Sequence, residues 1–366
     1  MPTSTSARSQ GSGSASIKAV ARLAGVSVAT VSRVLNDSGP VKGETRRRIL
    51  EVVEDLGYVP HGAARSLTTN QTDTLGVLLP DIHGEFFSEL IRGIDSAARR
   101  QGYHVLVSGS HEEREEVQAV LRALRGRVDG LILMTPSADM LEALRSVPPD
   151  SLPTVLLNCP PGVLPFDSIN LDNHGGAMAM VRHLAGLGHR RIAFIQGPPG
   201  NHDARERLRG YRDAVQELGL EADRRLELRG DFGVEAGSRA GERLLELSPR
   251  PTAVFAANDA MAIGCLHALR EARPEGIEVP EGIAVAGFDD IPIARFMSPP
   301  LTSVGVPIAA LGALALERLL EVVRQRGNPG KAGAASPPHH DELPPTLVVR
   351  GSCGARSAQS HSRRKV

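Results

Sequence analysis

The sequence predicts an α/β protein carrying a small all-α head, and two patterns lead there. From Thr74 onward the apolar runs LGVLLP, YHVLVSG, GLILM, TVLLN, RIAFIQG, AVFAAN and IAVAGFD alternate with helical stretches such as FFSELIRGIDSAARRQG and HGGAMAMVRHLAGLGHR. That alternation is the signature of repeated parallel-sheet units. Before that point, Ser16 to Asn36 reads as two short helices joined by a tight turn. At 366 residues the chain is too long for one small domain and long enough for such a head plus a large body.

The Ser/Gly-rich residues 1–15 read as a disordered tail. Ser16 suits an N-cap, and Ile17, Val20, Ala21 and Ala24 recur at helical spacing with Lys18 and Arg22 facing outward. Gly25 ends that helix. Ser27 caps a second, whose buried stripe is Val31, Val34 and Leu35. Two helices crossing steeply over a short turn need small residues where they touch, and Ala21, Ala24 and Gly25 supply them. The second helix is a candidate recognition helix for the DNA major groove, with Val28, Ala29, Thr30, Ser32 and Arg33 as its DNA-binding candidates. NDSGP then makes a turn, and ETRRRILEVVEDLGY a third helix with Ile49, Val52, Val53 and Leu56 inward. Its Arg46, Arg47 and Arg48 read either as a solvated face or as phosphate contacts. Lys42-Gly43 is a weak helix start. The predicted head spans residues 16–60.

Charge and composition narrow the function classes. The chain is neutral overall, but residues 1–70 hold nine Lys or Arg against five acids, so the positive charge sits on the head and the body is acidic. Cys159, Cys265 and Cys353 are odd in number and widely spaced, which predicts packing residues and neither a disulfide framework nor a zinc site. No apolar run approaches membrane-spanning length and the N-terminus has no apolar core of a secretion signal, so a cytoplasmic protein without membrane contact is expected.

VARLAGVSVATVSRVLN is similar to the signature of the LacI family of bacterial transcription regulators. YVPHGAARSLTTNQTDT resembles that family's hinge segment, and GHRRIAFIQGP, ARERLRGYRDAVQELGL, FAANDAMAIGCLHAL and VAGFDD with SPPLTSV resemble its effector-binding body. The resemblance runs from Ser16 to Ser352. It implies a body of two Rossmann-like lobes, built like a periplasmic binding protein, with the chain crossing between them three times. Carried over, the body is residues 74–352: an N-lobe of about 74–172 plus 302–330, and a C-lobe of about 173–301 plus 346–352. Residues 327–345 read as a Gly/Pro/Ala-rich linker and 353–366 as a disordered tail. The resemblance also implies a homodimer on a pseudo-palindromic operator with a central CpG step. A hinge helix within residues 61–73 is too short to persist alone in water and orders on DNA. There Leu67 wedges into the minor groove. His61 stands where the family has Asn, a weaker cap for that helix. No leucine heptads follow, so a coiled-coil tetramer is not expected.

In open α/β lobes ligands sit beyond the carboxyl ends of the strands. The family motifs carry over an effector site of Phe86, Phe87, Asp172, Asn201, Asp203, Arg207, Phe232, Asn258 and Asp289. For Asn258 with Asp259 the alternative is a helix cap, and for Phe86 and Phe87 it is helix packing. Asp, Asn and Arg around flat aromatic rings suit vicinal hydroxyls and a sugar face, so a carbohydrate effector is expected, with a nucleoside or nucleobase as the alternative. An enzyme is not expected: GPPG at 197–200 is no dinucleotide fingerprint, there is no P-loop or nucleophile elbow, and His174, His183 and His189 lack a nearby nucleophile or ligand spacing. No cofactor or metal is implied, and a periplasmic binding protein would have no need of the head.

Overall fold

The computed structural model describes residues 16–36, 39–58, 71–110, 114–134, 137–145, 151–160, 162–272, 276–326 and 337–355. The hinge helix with His61 and Leu67, the N-terminal tail and residues 356–366 lie outside these. The chain divides into two compact units, residues 1–72 and 73–366.

The first unit holds helices α1 (Ile17–Leu23), α2 (Val28–Leu35) and α3 (Gly43–Asp55). Ser16 Oγ accepts the Ala19 N–H and Ser27 Oγ the Thr30 N–H, so both expected caps form. Lys42 caps α3 with no side-chain bond. Gly25 turns the chain between α1 and α2 at φ +63°, a left-handed conformation in which a Cβ is unfavourable. Val20, Ala21, Ala24, Val31, Val34, Ile49 and Tyr58 form one small core. Arg48 belongs to this packing, because its Nε donates to the Ala24 carbonyl at 3.0 Å and so closes the end of α1.

The second unit carries two six-stranded sheets. The first has the order β11 (His340–Leu343), β5 (Asp167–Leu171), β4 (Thr154–Leu157), β3 (Gly130–Met134), β1 (Thr74–Leu79), β2 (His104–Gly109), all parallel. Its central strands β1, β3 and β4 are apolar on both faces. Val77, Ile132 and Val155 pack with helices α4 (Glu85–Arg100) and α11 (Ile308–Arg326), while the alternate residues Leu78, Leu131, Leu133 and Leu156 pack with α5 (Arg114–Leu124) and α6 (Ala138–Arg145). The second sheet runs β12 (Thr346–Val348), β10 (Thr302–Gly305), β9 (Ala284–Asp289), β8 (Ala253–Ala256), β6 (Ile192–Ile195), β7 (Glu227–Leu228), with only β12 antiparallel. Helices α7 (Asn173–Gly186) and α8 (His202–Glu217) pair on one face, and α9 (Val234–Glu246) and α10 (Asp259–Glu271) on the other.

The chain passes between the lobes after β5, after β10 and between β11 and β12. Three boundaries differ from those expected. Residues 302–305, assigned to the N-lobe, are β10 of the second sheet, and the presumed linker contains β11, an edge strand of the first. Residues 353–355, expected in the C-terminal tail, belong to the second lobe. Cys353 is fully buried, and Ser352 Oγ donates to the Val285 carbonyl while accepting the Thr302 N–H. All three cysteines are free and buried.

With no Trp and few aromatics, the helices pack through small residues. At the α4–α11 crossing a Cβ on Gly93 would stand 2.0 Å from the Ala309 carbonyl oxygen, and at α9–α10 a Cβ on Gly264 would stand 1.9 Å from that of Val234. Both collisions are with backbone, which cannot rotate away. Gly264→Ala is therefore expected to destabilise the body by about 1–3 kcal/mol in chemical denaturation. Gly186→Ala, with open space around its Cβ, is the control and should be neutral or slightly stabilising. Equal stability of the two variants would contradict this account of the helix crossings.

Candidate functional site

Two surfaces carry functional chemistry. On the head, Val28, Ala29 and Arg33 of α2 are exposed, and Thr30 and Ser32 are half-buried. The hydroxyls of these two are engaged within the helix, Thr30 Oγ1 with Ser27 Oγ and Ser32 Oγ with Asn36 Nδ2. Arg33 thus offers a free guanidinium fork beside two short apolar side chains. Such a fork matches the paired acceptors of guanine, and the apolar pair suits a thymine methyl.

The second surface is a cleft of about 400 Å³ between the lobes, lined by Pro80, Asp81, Phe86, Phe87 and Met134 from one and by Pro198, Asn201, Asp203, Arg207, Asp231, Phe232, Asn258 and Asp289 from the other. Eight of the nine cleft residues expected from sequence meet here. Asp172 does not reach it. Its Oδ1 caps α7 by accepting the Gly175 N–H at 2.7 Å, and it borders a small groove beside Pro344 and Pro345. The next residue, Asn173, does the work behind the cleft wall.

At the centre lies Arg207, buried on α8. Its Nε donates to Asn173 Oδ1 (2.8 Å), its Nη1 donates to the Ala257 carbonyl (2.5 Å) and lies 3.2 Å from Asp289 Oδ1, and its Cζ stacks 3.7 Å from the Phe288 ring centre. Asp203 receives the Asn158 amide on one oxygen (2.5 Å) and the Asn173 amide on the other (3.0 Å). Burial raises the Asp203 carboxyl above the usual carboxylate range, with Arg207 and the two amides opposing it. Burial likewise lifts Asp289 to about 6 against the pull of Arg207. Asp289 Oδ1 is buried and makes no hydrogen bond despite its nearness to Arg207. One guanidinium thus faces two buried carboxylates, and an acceptor at the cleft floor is unfilled.

The cap alternative holds for Asn258 without removing it from the cleft, and Asn201 is a helix cap as well. Asn201 Oδ1 accepts the Ala204 N–H, and Asn258 Oδ1 accepts the Met261 N–H while its amide holds the Phe232 carbonyl. That bond fixes Phe232 at φ +70°, and Gly197 leaves room for its ring, since a Cβ there would stand 2.6 Å from ring carbons. Asp259 faces away from the cleft, accepting the Ile291 N–H and the Ser303 hydroxyl. Phe86 and Phe87 meet edge to face at the opposite wall, touching both core and cleft. Sequence reasoning missed Pro80, Asp81, Met134, Pro198 and Asp231, although each follows or ends a strand and the strand-end rule covers them.

Comparison with known proteins gives the following. Residues 16–61 match the family model described as bacterial regulatory proteins, lacI family, and residues 181–353 match that of a periplasmic binding protein-like domain. The chain is 36% identical to the ribose operon repressor of Escherichia coli over 92% of this chain and 99% of that protein. It is 37% identical to the transcriptional repressor CytR of E. coli over 84% and 89%, and 34% identical to the transcriptional regulator DegA of Bacillus subtilis over 91% and 96%. Among solved structures, the Lac repressor dimer bound to operator and an anti-inducer aligns over 94% of this chain and 100% of its own with a TM-score of 0.81 at 29% identity.

The charge imbalance makes a pH prediction. Hydroxyl donors reaching Asp289 favour its ionised form and draw its proton off, so ligand binding releases a proton where the empty site is protonated. Arg207 and Asp203 face the same group, Arg207 favouring its ionised form and Asp203 opposing it. Affinity for a polyhydroxylated ligand is expected to rise from pH 5 to pH 7 and level off above, with proton release measurable by calorimetry in buffers of different ionisation heat. A flat profile with no proton exchange would contradict it.

Proposed function

The chain belongs to the LacI family of bacterial regulatory proteins, and on that premise we propose that it is a homodimeric, cytoplasmic repressor whose operator affinity is set by a small polyhydroxylated effector bound in the cleft. The observation that carries this reading is the pairing in one chain of an exposed Arg33 on a capped recognition helix with a cleft whose floor is Arg207, Asp289 and Asn258. Planar guanidinium, amide and carboxylate groups take vicinal hydroxyls two at a time, and Phe232 offers a flat face to an apolar sugar surface. Two heads would meet two half-sites of a pseudo-palindrome, with Leu67 of each subunit wedging a central CpG step.

The nucleoside alternative is favoured by one specific feature. Pro80, Phe86, Phe87 and Met134 make the opposite wall apolar, which would cover a flat base while the polar floor holds its ribose. Melting curves of the full chain with ribose, other monosaccharides, disaccharides and nucleosides separate the two readings, because a ligand that binds only the folded state stabilises it by about 2.7 kcal/mol at a hundred times its Kd.

For the DNA side, Arg33→Ala is expected to cost about 1–3 kcal/mol on the preferred operator and to relax base preference at one position per half-site. A competition assay against a randomised half-site measures both. Equal loss on every sequence would make Arg33 a phosphate anchor only.

A further inference from the structure

We propose that Asn158 and Asp203 form a buried latch between the two lobes, so that Asp203 acts as a positioning residue for lobe closure while Asp289 takes the effector's donors. This rests on the effector-cleft reading above. Asn158 follows β4 in the first lobe, and Asp203 sits in the first turn of α8 in the second. The amide Nδ2 of Asn158 donates to Asp203 Oδ2 at 2.5 Å, and both side chains are buried. Asn158 holds a left-handed backbone, φ +55°, which Asn tolerates better than most residues but which carries a cost. It is the kind of strain that persists where a strong bond over-determines the conformation.

The rest of the chain of bonds gives the latch its reach. Asp203 Oδ1 takes the amide of Asn173, the residue just past the first crossover, and Asn173 Oδ1 accepts Arg207 Nε. A lobe-one strand end, a crossover and the cleft arginine are thus tied through one carboxylate. Both oxygens of that carboxylate are already capped by amides, whereas Asp289 Oδ1 makes no hydrogen bond and has only its ion pair with Arg207. The two acids therefore divide the labour. Among the described residues other contacts also cross between the lobes, among them the bridge between Ser137 and Asn201 and the Ile293 N–H on Glu85 Oε2. The second of these is exposed to solvent. The Asn158 bond is to a buried carboxyl group, where the surrounding low dielectric makes a hydrogen bond strong and its loss costly.

The test measures lobe separation in the full-length chain with no ligand added, using one spin label on each lobe at introduced surface cysteines; the native cysteines are all buried and do not compete. Asn158→Gly removes the amide and still accommodates the left-handed backbone. Asn158→Asp sets a second carboxylate against Asp203. The double variant N158D/D203N restores an amide–carboxylate pair with the roles exchanged. Both single variants are expected to lengthen or broaden the inter-lobe distance, Asn158→Asp more than Asn158→Gly, and the double variant to return it toward wild type. Should Asn158→Asp fail to fold, Asn158→Gly alone decides. Wild-type distances in Asn158→Gly would overturn the latch, and so would open single variants that the double variant does not rescue. Where a sugar or nucleoside binds, Asn158→Gly should also weaken it about tenfold. The distances need no effector, so a screen in which no sugar or nucleoside binds would defeat the cleft reading and leave this result standing.

Discussion

Everything in the cleft depends on one buried guanidinium shared between two buried carboxylates. Arg207 is fixed by Asn173, by the Ala257 carbonyl and by the Phe288 ring before any ligand is considered. It lies 3.2 Å from Asp289 and opposes the burial that raises both carboxyls, yet one positive charge does not satisfy both acids. The result is a site with an excess of acceptors and too few donors. A ligand rich in hydroxyls supplies what is lacking. The same imbalance makes occupancy sensitive to proton concentration.

That arrangement is built from ordinary local devices. Asn201 and Asn258 cap the helices that project the site, and each cap stands at the end of a β-to-α turn on the cleft side of the second sheet. The caps orient Asp203 and Arg207 on α8 and tie down Phe232 through its carbonyl. Behind them the helix pairs lie close because Gly93 and Gly264 carry no Cβ at the crossings. The two lobes are joined by the three crossovers and by a few bonds between them.

Much of this was legible in the sequence, for identifiable reasons. All seven apolar runs are strands, because strands covered on both faces must be continuously apolar. The strands that escaped notice are β5, β7, β10 and β11, whose sequences DSINL, EL, TSVG and HDEL are short or polar; β11 and β7 lie at sheet edges, where one side needs no apolar partner. Arg207, Asn258 and Asp289 were legible because each sits in a motif with a fixed place at a strand end or helix start. Asp172 misled for the opposite reason. Its motif marks a helix start, and a capping Asp and a ligand-binding Asp look alike until the neighbouring Asn173 is seen to turn inward. Asn158 left no local signal at all, since its partner is 45 residues away in the other lobe.

The central claim is that cleft and operator are two sites of one equilibrium. A ligand shifts such an equilibrium only through unequal affinity for its two states, and the coupling must then read the same from either side. The most direct measurement is the affinity of the best-stabilising sugar or nucleoside for the full-length protein, by calorimetry, with and without saturating operator DNA. The account predicts that operator changes the effector Kd by the same factor by which effector changes the operator Kd, within the roughly 5–150-fold range typical of allosteric coupling. An effector Kd identical in the presence and absence of operator would contradict it.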